Sequence, residues 1–185
     1  MSKLFLKRKN TPVKLIYSVK SGASYFSGNF FTQNRYIHLM RTIRKAQSRD
    51  LPAIYSLVRE LAIYENSENE LTATAEDYEN DFADGIFESL VLEDDGEIRG
   101  MVLYYMTYST WRGKMLYLED FVVTEEYRRT GCGQELFEAF LKEAHSKKCR
   151  MVKWQVLDWN EPAIRFYEKN KATIEKNWWN VKIIF

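Results

Sequence analysis

A strand-like segment over residues 115–123 is followed four residues later by Arg128-Arg-Thr-Gly131-Cys-Gly133. That turn passes without a break into a helical pattern with Leu136, Phe137, Phe140 and Leu141 on one face. A strand that feeds a glycine turn into a helix points the free backbone N–H groups of the helix start, and the positive end of its dipole, at whatever anion binds there. The two glycines let backbone approach such a ligand closely. The turn is neither the dinucleotide fingerprint nor the nucleotide-phosphate loop, because it lacks a third glycine at the required spacing and a Lys-Ser/Thr after it. From these six residues alone, a glycine turn that simply enters a helix reads equally well.

The rest of the chain supplies a mixed α/β frame for that unit. A short strand reaches Lys45, and Ser48-Arg-Asp-Leu-Pro opens a helix whose apolar positions Leu51, Ile54, Leu57, Val58 and Leu61 keep helical spacing. Thr74-Ala-Glu-Asp is a capping box in its Asp variant and predicts a second helix to about Phe82. Residues 90–92, the turn Asp94-Asp-Gly-Glu and residues 98–108 read as a hairpin, with residues 115–123 as its third strand. A buried strand is expected over residues 151–157, a helix capped by Asn160 with an early Pro162, and one or two final strands over residues 173–185. Helices on both sides of one sheet is the layer arrangement this order predicts.

At 185 residues the chain suits one domain, since domains run to roughly 100–200 residues. Its longest apolar run, residues 101–106, falls far short of the ~20 residues that cross a bilayer, so no membrane partner is expected. Two cysteines, Cys132 and Cys149, are too few for a disulfide framework. With only His38 and His145 beside them there is no zinc spacing, and a reducing, cytoplasmic setting with no bound metal is the expectation. The formal charge of +1 conceals two opposite parts. Lys3, Lys7, Arg8, Lys9, Lys14, Lys20 and Arg35 precede Met40 with no acid among them, which makes residues 1–39 +7 and leaves the remainder at −6. Residues 1–39 show no sustained period and read as a basic extension. A translated upstream stretch with Met40 as the start, a targeting segment and a basic arm that touches something anionic all remain open. Residues 40–185 form the domain, and their acidic balance favours cationic partners over nucleic acid.

Within the third strand, Leu116-Tyr-Leu-Glu119-Asp120-Phe-Val-Val places two adjacent carboxylates in otherwise apolar sequence. Adjacent strand residues face opposite sides, so one carboxylate is expected in a cleft and the other towards the opposite layer or a partner. Both are costly to bury without a cation or hydrogen-bond donors, and a carboxylate beside an anion-binding turn is a candidate general base or cation seat. A salt bridge at a strand end is the bland alternative.

With Arg-x-x-Gly-x-Gly after that strand, the sequence resembles the GNAT superfamily of N-acetyltransferases. Three segments resemble its spermidine/spermine (diamine) N-acetyltransferases: Glu60-Leu-Ala-Ile-Tyr-Glu65, the stretch over residues 104–123, and Trp159-Asn-Glu-Pro-Ala-Ile-Arg-Phe-Tyr167. The resemblance covers residues 40–185. It implies the GNAT fold, a mixed and mostly antiparallel sheet flanked by helices with two splayed parallel strands, and acetyl-CoA as the co-substrate between those strands. Phe121, Val122 and Val123 would pair their backbone with the pantetheine as an added strand does. Arg128, Arg129, Thr130, Gly131, Cys132, Gly133 and Gln134 would cradle the pyrophosphate. Asn160, Glu161, Pro162 and Ala163 would close on the cofactor from the next helix, and Tyr167 would stand near the thioester sulfur.

The resemblance further implies direct attack by a small-molecule amine in a ternary complex. Glu119 would be the base, Tyr167 the acid for the departing thiolate, and Tyr64, Glu65, Glu119 and Asp120 the amine-binding groups, in a homodimer. A primary alkylamine has a pKa of about 10.4 and must lose a proton before it can attack, which is why a base is needed. Trp111, Glu68 and Glu70 are weaker acceptor candidates. Three departures from the family pattern stand out, and two of them concern glycines: Lys171 where a Gly usually follows the Tyr helix, and Arg129 where the loop often has a Gly. Lys176-Asn-Trp-Trp, where an acidic residue helps to bind amine, leaves thialysine, another small amine or a protein amine open as acceptor. A silent acyl-CoA or polyamine binding module also remains open.

Overall fold

The computed structural model describes residues 41–184, so the expectation for residues 1–39 falls outside the described residues. The elements run β1 (Thr42–Lys45), α1 (Leu51–Tyr64), α2 (Ala75–Ala83), β2 (Glu88–Asp94), β3 (Glu97–Ser109), β4 (Gly113–Val123), α3 (Cys132–Ser146), β5 (Met151–Lys153) and α4 (Glu161–Lys169). The sheet has the order β1-β2-β3-β4-β5, with antiparallel neighbours except for the parallel pair β4·β5.

Local chemistry sets the helix starts. Thr74 Oγ1 accepts from the Asp77 N–H at 3.2 Å while Asp77 accepts from the Thr74 N–H at 2.7 Å, which closes the capping box and begins α2. Asn160 accepts from the Ala163 N–H at 3.3 Å with Pro162 in the first turn, which begins α4. Ahead of α1, the buried Asp50 takes both arms of the Arg44 guanidinium, at 2.6 and 2.9 Å, and the Gln47 N–H at 2.8 Å. The Arg44 bonds first, and the Gln47 N–H after them, hold the Asp50 carboxyl below its usual range against the opposing effect of burial.

Period-2 alternation sorts the strands onto two cores. Leu90, Leu92, Val102, Tyr104, Leu116 and Leu118 meet α3 through Leu136, Phe137, Phe140 and Ala144. Val91, Met101, Leu103 and Val122 face the other way and meet Leu51, Ile54, Leu57 and Val58 of α1. Full burial of each Leu or Phe is favourable by roughly 1.5–3 kcal/mol, so both faces of the sheet are held by their helices. The expected helices on both sides are present.

β4 breaks its alternation once. Leu103 pairs Asp120 and Tyr104 pairs Leu118, so Glu119 is an extra residue with no partner across the ladder, a β-bulge. Leu116 and Leu118 before it and Phe121 and Val123 after it all lie on the α3 face.

Two strand expectations are corrected. The strand expected over residues 151–157 pairs only as Met151–Lys153, because its ladder with β4 ends at Tyr117↔Lys153. Residues 173–184 form no strand. The three-residue β5 offers them no edge to extend, and side-chain contacts from Asn180 to Gln155 and from Lys182 to Glu70 hold the segment instead.

Candidate active site

The bulge decides where the two β4 carboxylates go. A regular strand would put Glu119 and Asp120 on opposite faces; the extra residue brings both to the α1/α2 face, which corrects the sequence expectation. Glu119 is exposed and accepts from the Tyr105 hydroxyl at 3.1 Å. Tyr105 is its neighbour on β3 and stacks on Tyr117 at 5.4 Å. Asp120 is half-buried, across from Leu103. Burial, reinforced by the charges of Glu119 and Glu65, pushes its carboxyl up to about 7.

Glu65 follows directly on the last residue of α1, half-buried, and burial raises its carboxyl too. Tyr167 of α4 is 7% exposed and packs on Trp154 at 5.0 Å, Phe166 at 5.6 Å and Phe137 at 6.1 Å. Burial and then the Glu65 charge raise its hydroxyl to about 12. One electrostatic neighbourhood therefore links Tyr167 to Glu65, Glu65 to Asp120 and Asp120 to Glu119. Among the described residues, none of the three carboxylates forms an ion pair.

Tyr64 directly precedes Glu65 at the end of α1. Its hydroxyl reaches Asn160 Oδ1 at 3.4 Å, its ring lies 5.7 Å from that of Trp159, and the Arg128 guanidinium sits 5.7 Å from its centroid. It thus joins the end of α1 to the start of α4 and to the glycine turn. Glu161 pairs with Arg165 one turn on at 3.2 Å, Pro162 is exposed, and Ala163 packs on the α3-side core.

In the turn, Arg128 Nε donates to the Val123 carbonyl at 2.9 Å, and Arg129 is exposed with φ +61°. Gly131 takes φ +97° at the start of α3, where no side chain caps the helix. The first N–H groups of α3 are thereby left to meet a ligand or water. Cys132 is fully buried, its Sγ 2.6 Å from Arg41 Nη1 and 3.0 Å from Thr130 Oγ1, so it is a packed loop anchor. Gly133 lies under the Phe121 and Val123 side chains. Gln134 points away from the turn, donating to Asn170 at 2.8 Å and to Glu138 at 3.0 Å, so its side chain ties α3 to α4.

Phe121 packs between Phe137 and Phe166, Val122 is buried against α1, and Val123 joins the α3 side, so all three side chains belong to the core. Beyond Tyr117 no β5 residue pairs with β4, which leaves one edge of residues 118–123 without a ladder neighbour among the described residues. Trp111 is 87% exposed on the β3–β4 hairpin, away from these groups. Glu68 and Glu70 are exposed, with Glu70 bound to Lys182 at 2.8 Å.

Sequence reasoning missed Tyr55, Tyr78, Tyr105, Tyr117 and Trp159. The register Tyr105↔Tyr117, with Tyr117 two residues before Glu119, was a readable signal for the stacked pair. Tyr55 and Tyr78 carried none, since their approach depends on how α2 docks.

Residues 51–171 match the Acetyltransferase (GNAT) family. A spermidine/spermine N(1)-acetyltransferase-like protein 1 from Homo sapiens is 34% identical over 148 residues, 74% of this chain, which spans only 21% of that protein's length. A thialysine N-epsilon-acetyltransferase from Sus scrofa is 38% identical over 136 residues, covering 68% of this chain and 80% of that protein. Among solved structures, an aminoglycoside acetyltransferase from an uncultured soil metagenomic sample, in complex with trehalose, superposes with a TM-score of 0.68. It is 21% identical, over 80% of this chain and 99% of the other, a likeness of fold. With the family match spanning most of the described domain, and a bare helix start beside a bulged β4 edge, the chain belongs to the acetyltransferase (GNAT) family.

Proposed function

We propose that this acetyltransferase moves the acetyl group of acetyl-CoA to a primary amine of a small diamine or polyamine. The observation that carries the reading is the face formed by Glu65, Glu119 and Asp120, three carboxylates with no cation of the described chain to pair them. Carboxylates left unpaired in a partly buried setting are costly, and a ligand bearing ammonium groups relieves that cost. The same face disfavours an acceptor with its own carboxylate. Thialysine remains the second reading because relatives of that name match at 35–38% identity over 80% of their length.

The residues fit the donor. Arg128, Arg129 and the uncapped start of α3 present positive charge and N–H groups to a pyrophosphate, and the edge of residues 121–123, without a ladder neighbour among the described residues, presents backbone to an amide-bearing arm. When bound, acetyl-CoA supplies a thioester, which an amine can attack once it is neutral. Glu119, oriented by the Tyr105 hydroxyl, takes the ammonium proton directly or through water. A backbone N–H near Phe121 steadies the oxygen on which negative charge develops. Tyr167 keeps its proton at neutral pH and donates it towards the sulfur as charge builds there.

Thiol release from acetyl-CoA with spermidine, spermine, putrescine, thialysine, a lysine peptide and an aminoglycoside tests the reading. Release with the di- and polyamines is expected. Silence across the panel with tight CoA binding would move the assignment to a binding module. Tyr167→Phe should lower kcat by roughly 10²-fold with CoA affinity kept, whereas Glu119→Gln should shift the pH-rate profile. Unchanged kinetics in both variants would remove the mechanism.

A further inference from the structure

We infer that Arg41, the residue before β1, is a positioning residue for the donor: it neutralises the Glu135 carboxylate at the anion-binding end of α3 and fixes the first residue of that helix. The inference rests on the reading above that the pyrophosphate of acetyl-CoA binds at this turn.

Direct contacts put Arg41 there. Ile43 of β1 packs on the α3-side core, and Arg41, two residues earlier, continues that side of the chain. One arm of its guanidinium, Nη1, lies 2.6 Å from Cys132 Sγ, and the other, Nη2, donates to Glu135 Oε1 at 2.9 Å. Cys132 and Glu135 stand three apart in the first turn of α3, so the planar fork spans one face of that turn. The Arg41 side chain is 8% exposed and that of Glu135 46%, which makes this a buried cation holding a carboxylate at the surface. The Thr130 hydroxyl meets the same sulfur at 3.0 Å, so the start of β1, the glycine turn and the helix share one anchor.

Glu135 is what makes the anchor matter to an anion. Its Oε1 lies 3.9 Å from where a Cβ on Gly131 would stand, beside the uncapped start of the helix. A carboxylate in the first turn suits the helix dipole, but it repels a pyrophosphate that seeks the same N–H groups. Pairing with Arg41 cancels that charge at short range. The exposed cations Arg128 and Arg129 are then not offset by Glu135 when the phosphates arrive.

The test sets Arg41→Met, Glu135→Gln and the double variant against the wild type, with spermidine as acceptor and two donors. One donor is acetyl-CoA; the other is S-acetylpantetheine, which has the same thioester and no pyrophosphate. Arg41→Met should raise the KM for acetyl-CoA about five- to tenfold with kcat within about twofold, and leave kcat/KM for S-acetylpantetheine within about twofold. Glu135→Gln should lower the KM for acetyl-CoA, and the double variant should return it to within about twofold of wild type, because the pair is removed together. An equal fall with both donors, or a double variant no better than Arg41→Met, would reduce Arg41 to a general brace and overturn the inference while the acetyltransferase reading stands. Should Arg41→Met fail to fold, Glu135→Gln decides alone, since its carboxylate is partly exposed: an unchanged or raised KM for acetyl-CoA overturns the role. Calorimetry with CoA reads the same order of affinities without turnover, and equal affinities across the variants overturn it there. A wild type that uses S-acetylpantetheine as well as acetyl-CoA would remove the pyrophosphate from this turn, and the donor reading and the role of Arg41 would fall together.

Discussion

Burial first, then the charges of Glu119 and Glu65, push the Asp120 carboxyl up to about 7 from the ~3.9 of an unfolded chain. Between those two values the folded form keeps a proton that the unfolded form has lost. Folding therefore takes up a proton, and this residue's contribution to stability falls as pH rises through that window, then levels off above about 7. Asp120→Asn should thus gain on the wild type steadily from pH 5 to pH 7 and no further at pH 8, as read by denaturant midpoints at each pH. A constant difference would show that the carboxyl is not raised. Two other residues show what local sequence discloses. Lys171 holds φ +62° just past α4, where its N–H meets the Glu168 carbonyl at 2.9 Å and the Ala172 N–H meets that of Tyr167 at 3.0 Å. The helix thus ends as a glycine would end it, at the cost of a side chain in the left-handed region. Arg129, with φ +61°, makes the same substitution in the loop and sets a second cation beside Arg128. These two departures from the family pattern were visible in the sequence, whereas the strained backbone they carry was not.

β4 shows most clearly which features are local and which are not. The beginnings of α2 and α4 were legible to within a residue, because Thr74 and Asn160 bond N–H groups three residues away. The bulge was not, since it is a relation between two strands, yet it leaves a trace. Leu118 and Phe121 are three apart and share the α3 face, which a regular strand cannot do. The unpaired segment over residues 173–184 has the apolar alternation of a strand, but pairing needs a neighbour with free backbone, and the short β5 does not provide one. Gly100 of β3 fixes how closely β3, β4 and α3 approach. A Cβ there would lie 2.9 Å from the Val122 carbonyl, 3.3 Å from Val123 Cγ2 and 3.5 Å from Leu136. Gly100→Ala must push β4 outward, at a cost of about 1–3 kcal/mol. Because the displaced residues border the turn, the variant should both lower the denaturation midpoint and raise the KM for acetyl-CoA. A stability loss with an unchanged KM would detach residues 121–123 from donor binding.

At the scale of the whole domain, the site is assembled from segments that the sheet does not hold together alone. The β4·β5 ladder stops at Tyr117↔Lys153, and beyond it the groups at the end of α1, the turn before α3 and the start of α4 meet mainly through Tyr64, Asn160, Trp159 and Arg128. A ligand that bridges the turn and α4 adds contacts to the folded form that the unfolded chain lacks, so its binding free energy adds to stability. CoA at a hundred times its Kd should contribute about 2.7 kcal/mol. At roughly 2–4 °C per kcal/mol for a domain of this size, that raises Tm by about 5–10 °C. Arg128→Ala removes an exposed side chain that donates to the Val123 carbonyl, so the Tm without ligand should change little. The increment with CoA should shrink, because the lost charge faces the anion-binding end of α3. Thermal melts of both proteins across a CoA titration read the two effects separately. An undiminished CoA increment in Arg128→Ala would place the pyrophosphate away from this turn, and a large loss without ligand would make Arg128 chiefly a brace between β4 and α1.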